Sequence, residues 1–286
     1  MSVVIFADST CDLSPELVAR YDIRILPLHI LLGEKEYEDG ATITPDEIYA
    51  WADEHKATPK TSAIGLESTV DAFRPVIEAG DEIVSFAISS HMSSTSNIMR
   101  LAAEELGASD RVHVVDSENL STGIGLLVIE AAEMAASGKT AAEIAAAVEA
   151  LRPKVRASFV VDTLTYLHRG GRCSSVAAIA GIALKLHPQI SVIDGKMLAG
   201  KKYRGPIARV VMLYARDQEK ALLTAKSDRV FITHSGCTDA IVADVKAYLE
   251  SLGRFKEILI TRAGCVISSH CGPSTLGVLF IDNSEV

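Results

Sequence analysis

Ile83-Val84-Ser85-Phe86-Ala87-Ile88-Ser89-Ser90-His91-Met92-Ser93-Ser94-Thr95-Ser96 joins an apolar run of strand length to a dense cluster of hydroxyls. The run predicts a buried strand over Ile83–Ile88. Ser and Thr favour helix starts, so a helix is predicted over Ser94–Leu106. A strand that feeds a helix through a short loop is the repeating unit of a parallel α/β sheet.

The same alternation continues on both sides. Val3–Ala7 reads as a buried strand, and Ser14-Pro15 caps a helix. Ile23–Leu32 is predicted as a second apolar strand. Thr44-Pro45-Asp46-Glu47 is a capping box that opens a helix to about Glu54, and another helix is predicted over Leu66–Ala79. Val112–Val115 is a strand ending in Asp116-Ser117. Helices follow over Gly123–Ala136 and Ala141–Leu151, the second capped by Thr140 with Glu143. These elements predict a mainly parallel sheet with helices on both faces across residues 1–153.

After Pro153 the pattern changes. Phe159–Val161 is a strand, and Leu164–Arg169 a short helix stopped by Gly170-Gly171. Asp194-Gly195 between Ile190–Ile193 and Met197–Ala199 signals a hairpin. A helix from about Pro206, a strand Val230–Thr233, a helix Asp239–Leu252 and strands Ile258–Thr261 and Gly277–Ile281 complete the chain. The expectation is a second, smaller α/β domain with a mixed sheet over residues 154–286.

Composition narrows the function. A net charge of −9 without a basic run disfavours nucleic acid. Cys11, Cys173, Cys237, Cys265 and Cys271 are odd in number and include no CxxC, which suggests reduced thiols in a cytoplasm rather than disulfides or zinc. Met1–Asp8 has no basic start and reads as a strand, not a signal peptide. No apolar stretch reaches the ~18 residues that a membrane helix needs. An apolar fraction of 48% and a mean hydropathy of +0.24 leave room for an apolar ligand cavity.

Familiar catalytic motifs fail on inspection. Gly138-Lys139-Thr140 resembles a P-loop tail, but Glu133 stands where that loop needs Gly. Thr233-His234-Ser235-Gly236 lacks the first Gly of a nucleophile elbow. No histidines have metal-ligand spacing. What remains is hydroxyl-rich. Six of the eight residues from Ser89 to Ser96 are Ser or Thr, whereas a helix cap needs one. A helix start also attracts anions through its backbone N–H groups and dipole. Thr61-Ser62 reads as a turn before a helix. His270 lies beside Gly272-Pro273, in what reads as a tight turn. In parallel sheets ligands bind beyond the carboxyl ends of strands, where Asp8-Ser9-Thr10, Ser89-Ser90 and Asp116-Ser117 are expected.

Taken in order, several segments resemble the DegV family of fatty-acid-binding proteins, which includes the FakB acyl carriers. They are Asp8-Ser9-Thr10-Cys11-Asp12-Leu13, Thr61-Ser62, Ser89-Ser90 with Met92-Ser93-Ser94-Thr95, and Val114-Val115-Asp116-Ser117. Tyr166-Leu167 with Gly170-Gly171-Arg172, Lys202-Tyr203-Arg204-Gly205 and His270-Cys271-Gly272-Pro273 complete the set. The resemblance implies a two-domain α/β protein with a long-chain fatty acid between its domains and no other cofactor. It implies a carboxylate clamp made by Thr61, Ser62, Ser93, Ser94 and His270. It also implies docking of a FakA-like fatty-acid kinase on Arg172 and Arg204, acyl-phosphate formation for phospholipid synthesis, and lipid exchange at a membrane surface. The chain departs from the family at Ala63-Ile64-Gly65, Ser94, Ser274 and His187-Pro188-Gln189-Ile190. These side chains bear on acyl preference and clamp geometry.

The physics of such a ligand is demanding at both ends. Each buried CH₂ gains about 0.8 kcal/mol, while an unpaired buried charge is prohibitive. Hydroxyls, a helix start and an imidazole are suitable donors, and a carboxylate beside His270 favours its imidazolium. The rival expectation is a serine hydrolase or acyltransferase acting on a lipid ester. It would use Ser93 as nucleophile, His270 as base and Asp8 or Asp116 as orienter.

Overall fold

The computed structural model describes residues 2–171 and 186–284. Its strands are β1 (Val3–Asp8), β2 (Ile23–Leu26), β3 (His29–Leu32), β4 (Lys35–Glu38), β5 (Lys60–Ser62), β6 (Glu82–Ala87), β7 (Val112–Asp116), β8 (Val155–Val160), β9 (Leu186–Ile193), β10 (Lys196–Arg204), β11 (Arg229–His234), β12 (Glu257–Arg262) and β13 (Leu276–Ile281). The α-helices are α1 (Pro15–Arg20), α2 (Pro45–His55), α3 (Leu66–Glu78), α4 (Thr95–Glu105), α5 (Thr122–Ala136), α6 (Ala141–Leu151), α7 (Thr165–Gly170), α8 (Ile207–Asp217), α9 (Glu219–Thr224), α10 (Asp239–Ser251) and α11 (Cys265–Cys271).

The expected parallel sheet is present, with strand order β2-β1-β6-β7. Connections run one way from β1 to β2 and the other way from β6 to β7. The crevice therefore opens between the carboxyl ends of β1 and β6. Asp8 stands there, and its Oδ2 accepts the Ile88 N–H at 2.7 Å. A second sheet is mixed, with order β10-β9-β8-β13-β11-β12, and holds every described strand after residue 154. The Asp194-Gly195 turn has φ values of 48° and 74°, as a two-residue hairpin of this twist requires.

Three local expectations need correction. The run Ile23–Leu32 is two strands in different sheets, because Pro27 brings no ladder donor and the Leu28 N–H turns to Ser9 Oγ. Thr61-Ser62 is not a turn but part of β5, which joins β3 and β4 in a three-stranded antiparallel sheet. His270 is not in a tight turn but in the last turn of α11.

Helix α5 sits between the two large sheets, against β1 and β6 on one side and β8 and β13 on the other. Every residue from Thr122 to Ala132 is buried, as expected of a helix apolar nearly all round. Its one buried acid, Glu130, accepts from Lys226 and Arg229 at 2.7 Å and ties α5 to β11. Gly125 permits a close approach to the chain after β1, since a Cβ there would stand 3.0 Å from the Cys11 carbonyl.

Candidate functional site

A cavity of about 300 Å³ lies where the crevice of the parallel sheet meets β5, the β9–β10 hairpin and α11. Its inner wall is apolar: Leu28, Ile88, Leu120, Met197, Val266, Ile267 and Cys271 are all buried. Thr61, Ser62, Ser93, Ser94 and His270 also line it. Thr61, Ser93 and His270 are half-buried, while Ser62 and Ser94 are exposed, so the polar groups stand at the mouth. Leu120, Ile267 and Cys271 also line a second, small cavity of about 20 Å³, bounded further by Phe159, Thr233 and Leu279. The apolar wall had no local signal in the sequence. Met197 comes from a hairpin of the second sheet and Leu28 from the break between β2 and β3.

The structure joins residues far apart in sequence. Thr61 Oγ1 lies 2.9 Å from His270 Nε2. Ser93 Oγ lies 2.9 Å from Thr95 Oγ1 and accepts the Thr95 N–H at 3.3 Å, so it serves the start of α4 as well as the cavity. Ser94 is the N-cap residue of α4, yet its side chain caps no amide. The other hydroxyls of the cluster have different work. Ser89 Oγ donates to the Gly195 carbonyl at 2.7 Å and ties the loop to the hairpin, while Thr95 and Ser96 are buried. His270 thus meets Thr61, while Ser93 turns to Thr95. Asp8 accepts from Thr10 and Ile88, and Asp116 from the Ser90 and Glu118 amides.

Helix α11 places His270. Pro273 and Gly272 end it, and Gly272 (φ 73°) has no room for a side chain, because a Cβ would meet the Tyr166 ring at 2.5 Å. At its start the amides of Gly264 and Cys265 donate to the carboxylates of Asp12 and Asp39 at 2.8 Å and 2.6 Å. Burial is the main force on these acids. It pushes Asp8 up to about 6 and raises Asp12 and Asp39 above the usual carboxylate range, against the lowering effect of their hydrogen bonds.

Outside the mouth, a larger open basin of about 630 Å³ shares Thr61 and His270 with the apolar cavity and is lined by Lys56, Lys60 and Arg169. Arg204 is exposed at the end of β10. Arg172 lies outside the described residues. Among the described residues no three His, Cys, Asp or Glu side chains gather as metal ligands, and no helix is long and apolar enough to cross a membrane.

Solved structures with this fold are known. A DegV family protein from Thermus thermophilus, described for its fatty acid binding, superposes with a TM-score of 0.90 at 32% identity over 99% of this chain and 100% of its own. A Thermotoga maritima protein whose structure reveals fatty acid binding function has a TM-score of 0.84 at 26% identity, covering 99% of both chains. A stearic acid-binding protein from Eubacterium ventriosum has a TM-score of 0.84 at 29% identity, covering 98% of both. A DegV domain-containing protein of Deinococcus radiodurans is 32% identical over 97% of this chain and 98% of its own. The model of the DegV family, described as uncharacterised protein, matches residues 2–283. With that match spanning nearly the whole sequence, this chain belongs to the DegV family.

Proposed function

We propose that this protein binds a long-chain fatty acid between residues 1–153 and 154–286, as two domains, and presents its carboxylate to a fatty-acid kinase. The observation that carries the proposal is one cavity with an apolar interior and a mouth of hydroxyls and an imidazole. A hydrocarbon tail gains by leaving water, and the head avoids an unpaired charge by meeting Thr61, Ser93, the Ser94 backbone and His270. Fatty acid binding by similar DegV proteins supports the same ligand class. The basin lined by Lys56, Lys60 and Arg169 would leave the head open to a phosphate donor. A serine nucleophile would need a hydrogen bond to its base, and here Ser93 Oγ is engaged by Thr95 Oγ1 and the Thr95 N–H. In this reading phosphoryl transfer belongs to the kinase partner, and the carrier to the cytoplasm.

The direct test is solvent extraction of the purified protein followed by mass spectrometry. A long-chain fatty acid at near one per protein is expected, and its absence after reloading attempts with free fatty acids would end the proposal. For the kinase, Arg172→Ala combined with Arg204→Ala is expected to keep lipid bound while acyl-phosphate formation falls at least tenfold. Undiminished phosphorylation would remove the docking role of those arginines.

A further inference from the structure

We infer that Asp12 and Asp39 are positioning residues that hold His270 in register with Thr61, an inference that rests on the fatty-acid reading of the cavity. His270 and Thr61 are carried by different parts of the fold. His270 is carried by α11, which connects β12 to β13 of the six-stranded sheet, whereas Thr61 is on β5 of the three-stranded sheet. The β12–α11–β13 connection alone sets no distance between them. Helix α11 also packs on β3 and β5, and the two carboxylates hold its first turn in place there.

Asp39 follows β4 and is part of the frame that bears Thr61. Its N–H donates to the Leu28 carbonyl at 2.8 Å, just before β3, and β3 pairs with β5. Its Oδ1 accepts the Cys265 N–H at 2.6 Å, and its Oδ2 accepts Ser9 Oγ at 2.8 Å. Asp12 follows β1 and takes the Gly264 N–H at 2.8 Å, while Ser121 Oγ donates to its other oxygen. Both carboxylates are buried, at 5% and 4% exposure for Asp12 and Asp39. A buried acid is costly unless its oxygens are hydrogen-bonded, and here one oxygen of each takes one of the first amides of the same short helix. Gly264 makes room for them, since a Cβ would come within 3.1 Å of Asp39 Oδ1 and 3.2 Å of Asp12 Oδ1. From Cys265 to His270 the helix rises only ~7.5 Å. A shift at its start is therefore carried to the imidazole, which is 2.9 Å from Thr61 Oγ1.

The test compares a fatty acid with the fatty alcohol of the same chain length, bound to the full chain. The variants are Asp39→Ala, Asp12→Ala, and the near-isosteric Asp39→Asn and Asp12→Asn. Circular dichroism and thermal unfolding report folding. The Asn variants keep the measurement possible where Ala prevents folding. Each folded Ala variant is expected to bind the acid about tenfold more weakly and the alcohol within twofold of the parent. The Asn variants are expected to recover part of the loss. The ¹⁵N shifts of the His270 ring are expected to move in the Ala variants. Equal losses for acid and alcohol would show a purely structural role and overturn the inference, as would unchanged acid binding in folded variants. A parent protein that binds acid and alcohol equally well refutes the carboxylate clamp itself, and the positioning role with it. Parent preference for the acid that survives in every variant refutes the positioning role alone.

Discussion

Ile267→Trp is expected to weaken binding of a long-chain fatty acid by at least a hundredfold while leaving a short-chain acid nearly untouched. Ile267 is buried and faces both the apolar cavity and the small cavity beside it. An indole there fills the space the tail needs but stays away from the hydroxyls at the mouth. Excluding roughly four methylenes removes about 3 kcal/mol of transfer free energy, or ~100-fold in affinity. Overpacking costs about 1–3 kcal/mol of stability, so unfolding is followed alongside binding. Ile267→Val is the control and is expected to lose little. Isothermal titration with a chain-length series decides the matter. An undiminished long-chain affinity in folded Ile267→Trp would mean that the tail lies elsewhere.

The second large effect belongs to the head of the ligand. His270→Ala is expected to lose the fatty acid that is expected to co-purify with the parent protein, because a hydrogen bond to a charged group contributes about 1.5–3 kcal/mol. Thr61→Val is expected to act in the same direction, and the double variant to lose less than the sum of the two, since Thr61 and His270 touch at 2.9 Å. Native mass spectrometry of the two single variants and the double measures the retained lipid. A full complement of lipid in His270→Ala would remove the imidazole from the clamp, and strictly additive losses would show that the two side chains act independently.

Local pattern and long-range contact divide this protein between them. Elements whose cause lies within a few residues were legible. Strands β1, β6 and β7 are apolar runs, α2 and α6 carry complete capping boxes, and Asp194-Gly195 turns a hairpin. The parallel and mixed sheets follow from that alternation. Strands β4 and β5 were not legible. Lys35–Glu38 is largely exposed and Lys60–Ser62 spans three residues, so neither displays an apolar period, and both exist because β3 offers them a ladder. Helix α11 is the sharpest case. Gly264 has no side chain to cap it, and the helix amides are met instead by Asp12 and Asp39, more than 200 residues earlier in the chain. A window that slides along a sequence sees Cys265-Val266-Ile267-Ser268-Ser269-His270-Cys271 without those acceptors. Resemblance marked Thr61, Ser93 and His270, yet which of them meet depends on how three sheets and one short helix pack. Hydrogen bonds over such separations leave no period in the residues they join.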